Sequence, residues 1–127
     1  MKRLLMVMAL IAIGAGLMAN EERPDPKKTL AIYNYRFSLQ HELAAVRKSA
    51  INQIERYDLK ELAHDLVLVM RNDPDESVKM AAARALITLR DTEGIRAVKA
   101  LVEQPDETPL VIFCKNLVDS RIDEYEN

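Results

Sequence analysis

The chain has 127 residues, of which 30% are charged and 49% hydrophobic, so it has the composition of one modest globular domain rather than of a disordered chain. Glycine is scarce, at 3 residues, and aromatic residues make up only 5%, a mixture that favours helices over sheets. The formal net charge is −2, and the sequence contains no basic block. We therefore expect no nucleic-acid partner and no binding to anionic membrane surfaces.

The N-terminal residues have the three-part layout of a secretory signal peptide. A short basic start (MKR) is followed by an uninterrupted apolar run over residues 4–13 and then by small residues up to Ala19. We expect cleavage after Ala19, which leaves a periplasmic or secreted protein without a stable membrane anchor. A retained anchor is the alternative, but the 16 residues 4–19 fall short of the roughly 20 that span a bilayer. The single cysteine, Cys114, forms no internal disulfide and lies too far from the apolar run to be lipidated.

Residues 20–28 carry two prolines and six charges, which predicts a linker between the signal peptide (residues 1–19) and a repeat domain over residues 29–127. Three of the six aromatic residues follow this linker closely: Tyr33, Tyr35 and Phe37. Terminal repeats are often modified to cover the core. We therefore expect this aromatic segment to form a cap over the first repeat.

The chain matches itself at an offset of 32 residues, and three columns of apolar or small residues persist through three copies. Each copy predicts one amphipathic helix. A small residue at the same place in every copy indicates close helix packing, although alanine also raises helix propensity by itself. The columns are Val46, Val78 and Leu110; Ala50, Ala82 and Cys114; and Ile54, Leu86 and Val118, with a weaker column of Tyr57 and Leu89.

A second helix is expected after each of the first two copies. Asp58 is expected to cap a helix over residues 59–72, and Asp91 one over residues 92–104, because an aspartate side chain accepts hydrogen bonds from the free amides of a first helical turn. Proline-containing turns then end each unit. A pair of helices cannot bury its own apolar face, so the copies are expected to stack. The apolar stripes are Leu62, Leu66 and Val69 on one second helix and Ile95, Val98, Leu101 and Val102 on the next.

One segment carries a recognisable pattern: Val78, Lys79, Ala82, Ala83, Ala85, Leu86 and Leu89 in the stretch VKMAAARALITL. This pattern resembles the first helix of a HEAT-like repeat, in the short form first recognised in phycobilisome lyases, and the resemblance covers residues 38–122. It implies an all-α fold, a short right-handed α-solenoid of stacked antiparallel helix pairs with a period of 32. Tetratricopeptide and ankyrin repeats are excluded, because the chain has no Trp and has a Thr-Pro-Leu turn only once.

No catalytic or metal-binding motif in the sequence is complete. Residues 41–45 (HELAA) begin like the zinc motif H-E-x-x-H but end in alanine, so one helical turn presents a single ligand. His64 and Asp65 are adjacent, and neighbouring helix positions point about 100° apart. Cys114 lies in the small-residue column and is expected to be a buried, unreactive thiol. We therefore expect no enzyme activity, no metal and no cofactor.

Two surfaces are candidates for partner binding. The first is the outward face of the second helices, whose alternative interpretation is an ordinary solvated face. The second is the apolar C-terminal helix, whose residues either fill the groove left by a missing partner helix or form an exposed patch for a partner or a second copy. The candidates are Glu61, His64, Leu68 and Arg71 matched with Glu93, Arg96, Ala100 and Glu103 on the first surface, and Val111, Phe113 and Ile122 on the second.

HEAT-like arrays are mostly protein-binding scaffolds. Together with the export signal, the resemblance implies an exported, non-catalytic interaction module or scaffold of the bacterial cell envelope that binds a protein or peptide. The alternative is an accessory subunit or remnant of a HEAT-repeat enzyme of the lyase type. A third hypothesis is a small structural protein that forms a homodimer through its apolar C-terminal helix. The fold by itself assigns none of these activities.

Overall fold

In this computed structural model the described part of the chain runs from residue 22 to residue 125, with side chains described as far as residue 121. The expected signal peptide, residues 1–19, lies outside this part. Within residues 22–125 the chain forms six α-helices and one 3-10 turn and contains no strand, so the expected all-α class is confirmed. The elements are α1 (Pro26–Ser38), α2 (Ala44–Arg56), the 3-10 turn (Lys60–Leu62), α3 (Ala63–Asn72), α4 (Glu76–Leu89), α5 (Thr92–Val102) and α6 (Pro109–Tyr125).

Aspartate side chains begin three of these helices. Asp25 accepts a hydrogen bond from the amide of Lys27 at 2.9 Å and α1 starts with a proline, as helix first turns prefer. The expected boundary of the linker at residue 28 is therefore wrong by three residues. Asp75 caps α4 through the amide of Val78, and Asp91 caps α5 through Gly94, as expected for Asp91.

The helix after Asp58 begins differently from the prediction. Asp58 adopts a positive φ of 51° and caps nothing; the chain instead enters a 3-10 turn at Lys60 and only then the α-helix at Ala63. Neither the turn nor α3 has a side-chain cap. The prediction of an Asp58 cap is wrong because a residue in the left-handed region forms the bend between α2 and the turn and does not hold its carboxylate over the next amides.

Helices that are two apart in the chain lie side by side: α2 contacts α4, α4 contacts α6, and α3 contacts α5. Consecutive helices also pack together, apart from α2 and α3, so that α4 contacts α2, α3, α5 and α6. A helix with neighbours on four sides has room only for small side chains on part of its surface. This position explains the alanines of α4, since Ala81, Ala82, Ala83 and Ala85 are all buried.

The close approach between α4 and α5 depends on a glycine. A Cβ atom placed on Gly94 would lie 2.6 Å from Cδ2 of Leu86, which is fully buried. Any larger residue at position 94 would therefore push α5 away from α4. Because interiors are packed as densely as organic crystals, the rest of the core leaves little space for that movement.

The three columns of the sequence repeat all contribute to the core. Seven of their nine residues are buried, and Val46 and Val118, at the two ends of the array, are half-buried. Burying a large aliphatic side chain contributes about 1.5–3 kcal/mol, so these columns account for much of the stability. The weaker column has no common environment, because Leu89 is 1% exposed and Tyr57 is 58% exposed.

Candidate partner-binding face

The eight candidate residues of the second helices share one property: all are exposed on the outer side of the 3-10 turn, α3 and α5. We call this surface the second-helix face. It carries acidic, basic and apolar groups together, and Leu68 is the large apolar side chain at its centre, with 45% of its surface exposed. The residues of the face are Glu61, His64, Leu68, Arg71, Glu93, Arg96, Ala100 and Glu103.

Ion pairs join neighbouring helices across this face. Lys28 of α1 pairs with Glu61, and the hydrogen bond between them lowers the pKa of the Glu61 carboxyl. His64 Nδ1 lies 2.7 Å from Glu93 Oε1, linking α3 to α5, and this hydrogen bond, reinforced by the carboxylate charge, raises the pKa of His64. Both groups of this second pair are more than half exposed. Solvent-exposed pairs of this kind contribute little to stability.

An open groove of about 360 Å³ lies between α1 and α3. We call it the α1/α3 groove. Arg36 from α1 and Asp65 from α3 form an ion pair on its wall, with Nε and Oδ1 at 3.1 Å. Leu68 lines the groove together with Leu39 of the loop after α1.

A buried ion pair forms one end of the α1/α3 groove. Arg47 donates from Nε to Asp73 Oδ2 at 2.7 Å and from Nη2 to Oδ1 at 2.9 Å. Its Nη1 donates to the backbone carbonyls of His41 and Glu42, so the guanidinium ties together two loops and the start of α2. Asp73 Oδ1 also accepts a hydrogen bond from the amide of Asp75 at 2.9 Å. Such a pair fixes the geometry of the groove, since every charge in it has a partner.

A second groove, of about 370 Å³, lies between α3 and α5 and is closed at one end by the start of α6. We call it the α3/α5 groove. Six of its lining positions lie 32 residues after lining positions of the α1/α3 groove. The pairs are Leu39 and Arg71, Arg47 and Lys79, Asp65 and Ala97, Leu68 and Ala100, Val69 and Leu101, and Asn72 and Gln104.

The two grooves differ in their acids. Asp65 of the first groove is replaced by Ala97 in the second, and Asp73 by Pro105. Arg71 and Lys79 line the α3/α5 groove, and no ion pair joins either of them to an acid within residues 22–121. The α1/α3 groove therefore has its cations neutralised by the chain itself, whereas the α3/α5 groove does not.

The α3/α5 groove continues onto the outer side of α5. A shallow depression of about 470 Å³ there is lined by Ile95, Arg96, Lys99, Ala100 and Glu103, together with the threonine that begins α5. Ala100 lines both the groove and the depression. Its small side chain lets the two form one continuous surface.

No protein-family model matches this chain, and neither the curated proteins nor the solved structures include one that is significantly similar to it. The resemblance to HEAT-like repeats therefore stays a prediction from the residues of the repeats. The candidate site is defined by the geometry of the second-helix face and its two grooves.

The C-terminal candidates occupy three different situations. Val111 is only 2% exposed and lines the inner end of the α3/α5 groove, so it does not belong to an exposed patch. It is buried because the start of α6 packs over α5. Phe113 is half-buried against the core, and the side chain of Ile122 lies outside the described residues. The sequence reasoning missed Ile112, which is 45% exposed.

The histidines and the cysteine have ordinary structural surroundings. His41 Nδ1 accepts a hydrogen bond from the amide of Leu43 at 3.1 Å, which holds the loop before α2. Cys114 has no exposed surface, and burial raises the pKa of its thiol to about 11. Thiols of this kind stay protonated at neutral pH and are poor nucleophiles. Among the described residues, no three histidine, cysteine or acidic side chains cluster as a metal site.

Sequence reasoning did not select the Arg47–Asp73 pair, although both residues carried a signal. Arg47 is the basic residue that follows the first column, and Asp73 belongs to the proline-containing turn that ends the first unit. A search for residues shared between copies passes over the pair because its counterparts are Lys79 and Pro105. The helices of the described part also include none that is both long and apolar enough to cross a membrane.

Proposed function

We propose that this protein is an exported, non-catalytic α-solenoid of HEAT-like repeats that binds a protein partner on its second-helix face, in the periplasm or outside the cell. The observation that carries the proposal is the recurrence of one groove at two places 32 residues apart on the same face. A repeated groove on one side of stacked helices is the surface on which repeat proteins bind extended partners.

The contacts between helices support the repeat architecture. First helices α2, α4 and α6 lie side by side, and so do the second helices α3 and α5. Each repeat thus contacts the next one through equivalent helices, as in a solenoid. In this scheme α1 takes the place of a second helix that lacks its first helix, because it lies 32 residues before the 3-10 turn and α3.

Smaller features recur with the same period. The two non-glycine residues with positive φ in the described part are Asp58 and Arg90, 32 residues apart, and each lies in the bend between a first and a second helix. Three side-chain pairs between successive repeats each join residues that are 29 apart: Arg36 with Asp65, Glu55 with Arg84, and His64 with Glu93. A spacing of one period less one helical turn places each pair on adjacent equivalent helices.

Features of the face favour binding over simple solvation. Protein partners bind where grooves and exposed apolar groups are surrounded by polar side chains. Leu68 is such a group, between the Arg36–Asp65 pair on one side and the His64–Glu93 pair on the other. Repeat stacking does not require an exposed leucine at this point, so we infer that a partner covers it.

The location follows from the N-terminal sequence. The basic start, the apolar run and the small residues before Asn20 support export with cleavage after Ala19. N-terminal sequencing of protein from the periplasmic or secreted fraction is expected to give Asn20 as the first residue. Intact Met1 on protein from the cytoplasm would contradict export.

Photocrosslinking in living cells tests the binding face. A photoreactive amino acid at Arg96 is expected to give a defined adduct with another protein, since Arg96 lines the depression on α5. The matched control is Lys48, which is exposed on α2 and lies outside every groove of the second-helix face. Adducts at Lys48 but none at Arg96 would show that the binding face is wrong.

A further inference from the structure

We propose that the partner presents an acidic segment to the α3/α5 groove, and that its carboxylates take the places that Asp65 and Asp73 fill in the α1/α3 groove. The inference rests on the proposed function, because it names the kind of partner that the second-helix face accepts. It is carried by the comparison of two grooves built from the same positions of the repeat.

The first groove shows how a cation at this position is satisfied. Arg47 meets the Asp73 carboxylate with two hydrogen bonds of 2.7 and 2.9 Å, in the parallel arrangement that makes such pairs strong. At the equivalent position in the second groove stands Lys79, half-buried, while Pro105 replaces the aspartate. A half-buried ammonium group gains most from a carboxylate brought by a ligand, because binding removes the remaining water around it.

The surrounding charges point the same way. Arg71 and Lys79 line the groove, and Arg96 and Lys99 line its continuation on α5. These four cations face a single acid of the same surface, Glu103, and none of the four forms an ion pair within residues 22–121. The full chain has a net charge of −2, so this concentration of unpaired cations contrasts with the rest of the molecule and favours an acidic ligand.

The start of α6 is not the source of this preference. The amide of Leu110 already donates to Glu76 Oε1 at 3.0 Å, and the amide of Val111 donates to Thr108 Oγ1 at 3.2 Å. With these amides satisfied inside the chain, the groove attracts anions through its lysine and arginine side chains.

The floor of the groove limits the shape of the ligand. Ala97 and Ala100 replace Asp65 and Leu68 of the first groove, which leaves a shallow floor of small apolar groups. An extended segment that alternates acidic and small side chains places its carboxylates on the cationic rim and its small residues against the alanines. Extended segments alternate their side chains in this way.

The test measures fluorescence anisotropy of a labelled peptide of alternating glutamate and alanine, titrated with the full chain at low salt. We expect saturable binding, no comparable binding of the matching glutamine–alanine and lysine–alanine peptides, and weakening with salt. Lys79→Glu is expected to weaken binding about tenfold, the effect of losing one close charge pair and gaining a repulsive one. Ala100→Leu, which restores the leucine of the first groove, is expected to weaken it by a similar factor through steric filling.

Lys48→Glu is the control, because it makes the same charge change in the first turn of a first helix but away from the groove. It is expected to change the affinity less than about twofold, the size of a screened, distant charge. Circular dichroism checks that each variant folds. Equal affinity for the glutamate and glutamine peptides, or equal weakening by Lys48→Glu and Lys79→Glu, would overturn the inference.

The outcomes separate this inference from the proposed function. Photocrosslinks at Arg96 combined with no preference for the glutamate peptide would leave the proposed function standing and overturn the acidic ligand. Absence of crosslinks across the second-helix face would overturn the proposed function, and with it the inference that depends on it.

Discussion

The α1/α3 and α3/α5 grooves are built from six equivalent positions, yet they treat charge in opposite ways. In the first, Asp65 and Asp73 neutralise Arg36 and Arg47, and the polar groups serve the stability of the fold. In the second, both acids are absent and Lys79 keeps no partner among the described residues. The difference shows how a repeat protein separates tasks between copies: one groove is closed chemically, and the other is left open for a ligand.

The largest expected effect concerns the buried pair of the first groove. Asp73→Ala leaves Arg47 buried without its carboxylate, and breaking a buried pair from one side is strongly destabilising, so we expect the melting temperature to fall by about 10–20 °C. Differential scanning calorimetry measures the change. The control is Lys79→Ala at the equivalent position of the second groove, where we expect a shift of less than about 3 °C. Equal shifts would show that the two grooves do not differ as described.

The next effect separates packing positions from binding positions. Ala82 is fully buried between helices, so Ala82→Leu is expected to cost about 1–3 kcal/mol by overpacking. Ala100 is exposed on the floor of the α3/α5 groove, and Ala100→Leu is expected to change the free energy of unfolding by less than about 0.5 kcal/mol. Urea titration compares the two. A loss at Ala100 as large as that at Ala82 would mean that the repeat phase is wrong.

A smaller effect is expected when the first groove is given the alanine of the second. Asp65→Ala removes the partner of Arg36, and because this pair is partly exposed the expected loss of stability is about 0–1 kcal/mol. The same variant leaves Arg36 as an unpaired cation on the groove wall, so the glutamate–alanine peptide is expected to gain weak affinity for it. The control is Glu55→Ala, which releases Arg84 on the opposite side of the molecule. A stability loss well above that of the control would indicate that Asp65 has a structural role beyond the pair.

The smallest effect concerns the link between α3 and α5. The hydrogen bond to Glu93 raises the pKa of His64, so the pair contributes stability when pH lies below the ordinary histidine pKa, and the contribution is lost as pH rises through the raised value. NMR titration of the imidazole is expected to show the raised pKa. In Glu93→Gln it is expected to return toward the ordinary value, since the carboxylate charge is gone. An unchanged titration midpoint in that variant would mean that Glu93 does not contact His64 in solution.

The sequence predicts the helices well because their signals are local. The period of 32 and the aspartate caps at Asp91 depend on spacing and on side chains that bond amides three residues ahead. The cap at Asp58 was wrong because the same residue type also tolerates a positive φ, and the sequence alone does not decide between the two. The start of α1 at Pro26 was missed because prolines and charges indicate a linker as readily as a first helical turn.

The candidate site was only partly predictable. The exposed positions of the second-helix face follow from helical periodicity, and all eight are exposed as expected. The pairing of Arg47 with Asp73 joins residues 26 apart on different elements, and no local pattern reports it. Val111 was assigned to a surface that α5 in fact covers, because the helical wheel of α6 does not show where its neighbours lie. The difference between the grooves therefore required the three-dimensional arrangement.

Two-dimensional amide NMR of the protein during titration with the glutamate–alanine peptide tests most directly whether the second-helix face binds through its open groove. We expect the largest shifts at Ala97, Ala100 and Leu101, which line the α3/α5 groove. Leu68 and Val69, at the equivalent places of Ala100 and Leu101 in the α1/α3 groove, are expected to shift little. Shifts of equal size in both grooves, or shifts confined to the outer side of α2, would contradict the division of roles between the two copies.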